Sequence, residues 1–199
     1  MRKTLLIILP LLLIVGCEKN GLHTDYYKNG QKEYERTYKD GKLDGLSTGW
    51  YENGQKKSEG NYKVWKEDGL FTHWHEDGQK YYEQTWKNGK LDGLSTHWHE
   101  NGQKSSEENY KDGKQIESTL WNYYKNGQKK MEGTYKNRKE DGLFTHWHEN
   151  GQKSSETTYK DGELNGLWTV WYENGQKSSE GNYKDGKEDG LSTGWYENG

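Results

Sequence analysis

Three short segments carry the side chains best suited to holding a metal. His73-Trp74-His75, His97-Trp98-His99 and His146-Trp147-His148 each place two imidazoles two residues apart. On an extended strand that spacing puts both rings on one face with neighbouring strands in reach, a workable arrangement for zinc or copper. The equivalent positions elsewhere hold Gly49 and Tyr51, Val170 and Tyr172, and Gly194 and Tyr196. A scaffold that accepts almost any side chain there favours solvated sheet-face histidines. A weak zinc or copper site is the alternative, and no metal or cofactor is assigned.

Carboxylates are abundant, and two of them about 5 to 9 Å apart can hydrolyse a glycosidic bond. Here they recur in every unit of the chain, which assigns them to turns and exposed pairs, whereas a catalytic residue should be an exception to the pattern. No nucleophilic Ser setting and no phosphate-cradling glycine loop is present. No catalytic residue is assigned, and the chain is expected not to be an enzyme. The better functional candidates are aromatic: Trp50, Trp74, Trp98, Trp147, Trp171 and Trp195 occupy equivalent positions and should line one face, with Tyr62, Trp86, Tyr110, Tyr159 and Tyr183 on the other. Such rows serve first as packing for a thin sheet. A partly exposed row rimmed by Lys and Glu also suits a protein partner or stacking on sugar rings.

The sole cysteine lies at the end of a leader. Met1-Arg2-Lys3 is positive, Leu5 to Val15 is apolar apart from Pro10, and Gly16-Cys17 follows. Eleven residues at about 1.5 Å each reach only half of a roughly 30 Å hydrocarbon core, so a secretory signal is favoured over a membrane span. Ile14-Val15-Gly16-Cys17 resembles the lipobox of bacterial lipoproteins. That resemblance implies cleavage before Cys17, lipid on its thiol and amine, and a chain anchored at the bacterial cell envelope, with the outer membrane favoured if there is one. Residues 1–16 would be the cleaved signal and 17–20 a short tether.

The elements that must position these residues follow from composition and repetition. Of 199 residues, 28% are hydrophobic and 31% charged; ten Leu, Ile and Val fall between Leu5 and Val15 and only fourteen follow Cys17. That is too few for a two-layer core, yet 10 Trp and 16 Tyr with a net charge of only −3 oppose disorder. The small acidic balance leaves no field for nucleic acid. Gly30, Gly54, Gly78 and Gly102 are spaced by 24 residues, Gly127 follows after 25, and Gly151, Gly175 and Gly199 resume the interval of 24. Residues 21–199 therefore form one repeat array, with seven near-complete units and a truncated eighth.

Most units contain Asn-Gly, typically between Glu and Gln, a signal for a two-residue type I′ hairpin. Placing Asn53-Gly54 in that turn sets Trp50 opposite Lys57, Thr48 opposite Glu59 and Gly45 opposite Tyr62. The same count pairs Thr72 with Glu83, Thr96 with Glu107, Thr145 with Glu156 and Thr169 with Glu180. It also lays an aromatic over a glycine in each unit. Leu46, Thr48 and Trp50 share a face, and each Leu and Trp should bury against the next unit. The expected fold is all-β: an elongated, single-layer antiparallel meander of stacked hairpins, about 15 short strands in all, without a closed core.

The Trp-Tyr-Glu-Asn-Gly-Gln-Lys, Tyr-Lys-Asp-Gly-Lys and Asp-Gly-Leu segments resemble the bacterial MORN-repeat-variant family. The resemblance implies hairpins stacked into extended sheets and a non-enzymatic interaction module, with a protein partner. Many bacterial relatives carry an antitoxin label, which makes a toxin-binding or immunity role one alternative; a cell-wall or glycan-binding module using the Trp and Tyr rows is another. Four departures break the pattern. Val64-Trp65 and Asn137-Arg138 replace Asp-Gly or Asn-Gly, an extra residue enters between Gly113 and Tyr123, and Tyr26 and Tyr123 replace Trp. A kink or bulge is expected over Gln115 to Asn122. The segment Leu191 to Glu197 has no return strand and offers an edge for self-association.

Overall fold

The computed structural model describes residues 19–198, so the leader and Cys17 lie outside the described residues. Sixteen strands follow in chain order: β1 (Gly21–Tyr26), β2 (Lys32–Lys39), β3 (Lys42–Trp50), β4 (Lys56–Lys63), β5 (Lys66–Trp74), β6 (Lys80–Lys87), β7 (Lys90–Trp98) and β8 (Lys104–Lys111). They continue as β9 (Lys114–Tyr123), β10 (Lys129–Lys136), β11 (Lys139–Trp147), β12 (Lys153–Lys160), β13 (Glu163–Trp171), β14 (Lys177–Lys184), β15 (Lys187–Glu188) and β16 (Thr193–Gly194). Each pairs antiparallel with its sequence neighbour in one open sheet, except that β16 joins β14. At about 4.8 Å per strand the array is roughly 70 Å long and one layer thick.

The two margins of the sheet carry different turns. On one, Asp40-Gly41, Asn88-Gly89, Asp112-Gly113, Asp161-Gly162 and Asp185-Gly186 hold positive φ at both central positions, the type I′ geometry that matches strand twist. On the other, expectation and structure differ. Only Gly54 has positive φ there, Gly54 N donates to Tyr51 O, and Tyr51 N donates to Gln55 O, a type I turn with a glycine bulge. Asn53 instead accepts from Gln55 N through Oδ1. The extra turn residue places Trp50 opposite Lys56 rather than Lys57, while Thr48–Glu59 and Gly45–Tyr62 pair as expected.

Asp-Gly-Leu is a second bulge. Between β4 and β5, Gly60 faces Phe71 and Tyr62 faces Glu67, so Asp68-Gly69-Leu70 bows out opposite the single residue Asn61. Gly69 sits at φ 116, which a side chain rarely tolerates. The bulge pushes the leucines outward: Leu46, Leu70, Leu94, Leu143 and Leu167 are exposed, contrary to the expected burial. It also explains the glycine better than aromatic cover does, since a Cβ on Gly45 would meet Thr37 rather than Tyr62. The most buried line across the sheet is polar, with Thr48, Thr72, Thr96, Thr145 and Thr169 each opposite a Glu, and only Leu43, Phe71 and Phe144 are buried hydrophobics among the described residues.

Candidate functional site: the step at β9

Two hydrogen-bond ladders run along the type I margin. The residue that opens the turn reaches the next unit's tryptophan carbonyl in most units: Tyr27 Oη to Trp50 O, Tyr51 Oη to Trp74 O, Tyr124 Oη to Trp147 O (each 2.7 Å), and Tyr172 Oη to Trp195 O at 2.8 Å. His148 Nε2 takes the same place on Trp171 O at 3.0 Å. The turn asparagines form the second ladder, with Asn29, Asn53, Asn126, Asn150 and Asn174 donating through Nδ2 to Glu52, Glu76, Glu149, Glu173 and Glu197 carbonyls. Each rung ties one repeat to the next, so both ladders stiffen the array lengthwise.

Both ladders fail over the same two units. His75 Nε2 is shut off from solvent and has no hydrogen-bond partner. Asp77 stands where an amide would donate, and Asn101 Nδ2 turns back to Gln103 Oε1 at 2.8 Å. In the first unit the side chains of His75 and Asp77 are themselves the departure; in the second the cause lies in β9, where Thr119 pairs with Glu107 on one side but with Thr134, not Glu132, on the other. Its hairpin with β10 holds two additional residues, Asn122 and Tyr123, between Trp121 and the turn at Tyr124. That displaces every later turn outward by two residues, about 6.6 Å along the strands. The expected irregularity is thus a register step within an unbroken sheet. It does not divide the array.

In the angle of the step lies an open cleft of about 650 Å³. Its floor and one wall are Trp98, His75, His99 and the exposed ring of Tyr81; Tyr123 and Tyr124 form the opposite wall. The polar rim is Glu100, Asn101, Gln103 and Asn122. His75 and Tyr81 rings lie 4.9 Å apart, and His99 meets Tyr123 edge-on at 5.9 Å. Gln103 Nε2 donates to Gly127 O at 2.7 Å and is the tie that still crosses the step. A smaller cleft of about 380 Å³ occupies the other end of the step, between Tyr110, Lys114 and Arg138. Burial, and then the 2.5 Å hydrogen bond that Tyr110 donates to Glu108, push the Tyr110 phenol up to about 12.

The tryptophan row forms as expected, but it is largely covered. Trp50, Trp74, Trp98, Trp147 and Trp171 are half-buried, and Trp195 is exposed. Lys32, Lys56, Lys80, Lys129, Lys153 and Lys177 lie over Trp50, Trp74, Trp98, Trp147, Trp171 and Trp195 at 5.3 to 5.9 Å. The same lysines pair with the Glu three residues on, as Lys56 with Glu59 at 2.7 Å. Of the six, Trp98 alone enters the cleft at the step. The other aromatic row is packed internally, where Phe71 meets Tyr62 at 5.2 Å and Trp86 at 6.3 Å, and Phe144 lies 5.1 Å from both Tyr135 and Tyr159.

The histidine pairs separate into different settings. His73 stacks on Tyr82 at 4.3 Å within the sheet, whereas His75 closes the turn through its amide on Gln79 O. His97 contacts Ser95 Oγ at 3.2 Å and His146 contacts Ser155 Oγ at 3.3 Å. Burial, reinforced by Lys57, lowers the His73 pKa, and burial with Lys130 lowers that of His146. Among the described residues no group of three or more His, Cys, Asp or Glu is placed to share a metal ion. The cleft itself was missed in the sequence, although the interval of 25 residues and Asp77 in place of Asn both mark it.

The model for the MORN repeat variant matches seven times, over residues 19–40, 43–63, 67–88, 91–112, 122–137, 140–161 and 164–185. The unmatched stretch between the fourth and fifth repeats covers most of β9, so the break in the family pattern coincides with the step. Repeats of this family suggest a scaffold for protein or membrane interaction, and the family is generally non-enzymatic. No curated protein matches the chain at a significant level. Covering most of the sequence with seven copies of its repeat, the chain belongs to the MORN repeat variant family.

Proposed function

We propose that the chain is an exported bacterial lipoprotein, anchored through Cys17, whose repeat array is a non-enzymatic scaffold for a protein partner at the cell envelope. The leader and the lipobox-like Ile14-Val15-Gly16-Cys17 support the anchor. The observation that carries the scaffold reading is the step at β9. A sheet of near-identical units offers a partner no unique address, but the step supplies one about midway along a stiff surface. Lys19 O accepts from Gly41 N, so the described chain begins at the type I′ margin and the step's aromatic cleft lies on the margin facing away from the tether.

Two experiments test this reading. Labelling cells with a palmitate analogue should mark the protein and fail with Cys17→Ser; an unlabelled wild-type chain removes the anchor. Immobilised residues 19–199, exposed to envelope extract, should retain one saturable protein that a variant lacking Asn122 and Tyr123 releases. Equal retention by that variant would show that the step is not the address.

A further inference from the structure

We infer that the cleft at the step is a binding site for a neutral pyranose ring, taken from a saccharide. The first support is unsatisfied polarity at a built position. In five units the phenol or imidazole that opens the turn occupies the next tryptophan carbonyl, but in the His75 unit the imidazole nitrogen is buried and unpartnered. An unpaired buried polar group costs about 1–3 kcal/mol, and because His75 Nε2 is closed to solvent a ligand hydroxyl recovers that cost only as the imidazole turns to meet it. The asparagine ladder is broken beside it, leaving the Asn101 amide on an intraturn bond that a ligand can replace.

The second support is the chemistry of the lining. Tyr81 and Tyr123 offer aromatic faces to the C–H face of a sugar, whereas Lys80 lies over the Trp98 ring at 5.4 Å and leaves that residue to the floor of the cleft. Asn122 presents a donor beside an acceptor, the pattern that matches two adjacent hydroxyls; Asn101 does so when its Nδ2 leaves Gln103 Oε1, and Glu100 adds acceptor capacity to the rim. No Lys or Arg lines the cleft, which disfavours a phosphorylated or carboxylate ligand. A volume of about 650 Å³, open on one side, accommodates one ring with its neighbours in the chain projecting outward. A single site at the step differs from stacking along the whole tryptophan row, where lysines already cover the rings.

Tryptophan fluorescence and calorimetry of the full chain with chitotriose, cellotriose and maltotriose test the site. Saturable binding of at least one trisaccharide below about 10 mM is expected. Asn101→Ala should weaken it about tenfold, the loss of one good hydrogen bond, while Asn150→Ala on the intact ladder leaves it unchanged. His75→Tyr supplies the missing phenol to Trp98 O; it should raise the melting temperature and weaken binding by about tenfold or more. That gain in stability separates a filled site from a misfolded variant. Absence of saturation with all three sugars would overturn the proposal. Equal loss from Trp171→Ala and Trp98→Ala would overturn it too, by spreading binding over the row.

Discussion

The ring of Phe71 occupies the space that a Cβ on its cross-strand partner Gly60 would need, and Phe144 stands in the same relation to Gly133. Where the aromatic is absent the partner is larger: Ser47 faces Arg36 and Ser95 faces Gln84. The thin sheet therefore gains its few buried hydrophobics by removing a side chain next door. Gly60→Ala should destabilise the array by about 1–3 kcal/mol through overpacking. Urea unfolding of Gly60→Ala, Phe71→Ser and the double variant should show coupling above about 0.5 kcal/mol, because the serine relieves the clash.

Val64-Trp65 occupies a type I′ turn that five other hairpins build with Asp-Gly or Asn-Gly. Val64 is held at φ 50 and Trp65 at φ 66, a backbone region costly for a β-branched residue. Trp65 is 57% exposed, and its 6.0 Å edge contact with Tyr38 returns little of that cost. Replacing the pair by Asp-Gly should raise stability by about 1–2 kcal/mol. A higher urea midpoint with an unchanged slope is the expected observation; a lower midpoint would mean that the Tyr38 contact outweighs the strain.

Repetition made the sheet legible before any coordinates. Thr48–Glu59 and Gly45–Tyr62 follow from counting outward from a turn, and five units repeat the count. The turn type did not follow, because Asn-Gly serves both a two-residue type I′ turn and the last two positions of a type I turn. What separates them is the Asn53 side chain: Oδ1 accepts from Gln55 N and Nδ2 reaches the next unit, a use visible only with neighbours in place. Leu46 was misplaced for a related reason. Simple alternation assumes no bulge, and Asp44-Gly45-Leu46 is one, opposite Thr37. The step at β9 was visible as an irregularity in spacing, but its consequence needed the pairing of Thr119 on both sides.

His73 has its pKa lowered by burial and by Lys57. The unfolded chain then binds the proton more readily than the folded one. Stability contributed by the neutral ring is fully present above the unfolded value of about 6.5 and is lost as pH falls below it toward the folded value. His146 acts in the same direction. Thermal melts should therefore be flat from about pH 8 to 7 and fall as the pH drops below about 6.5. His73→Val, the residue type that the seventh unit carries as Val170, should flatten the part of that fall due to His73. An unaltered fall would assign the acid lability elsewhere.

Deleting Asn122 and Tyr123 joins Trp121 to Tyr124, reproducing the Trp50-Tyr51 junction of a regular unit. Thr119 should then face Glu132, as Thr48 faces Glu59, and the turn at Tyr124 should withdraw into line. His99 would come within reach of the Trp121 carbonyl and Asn101 within reach of Lys125, completing rungs that the step now prevents. At about 1 kcal/mol per hydrogen bond the shortened chain should be more stable by about 1–2 kcal/mol, although it lacks two residues of strand. Hydrogen exchange should slow across turns 99–102 and 124–127 and remain unchanged at 172–175. A chain that melts lower after the deletion would mean that the cleft residues themselves stabilise the sheet, making the step a packing device and leaving it without a role as an address.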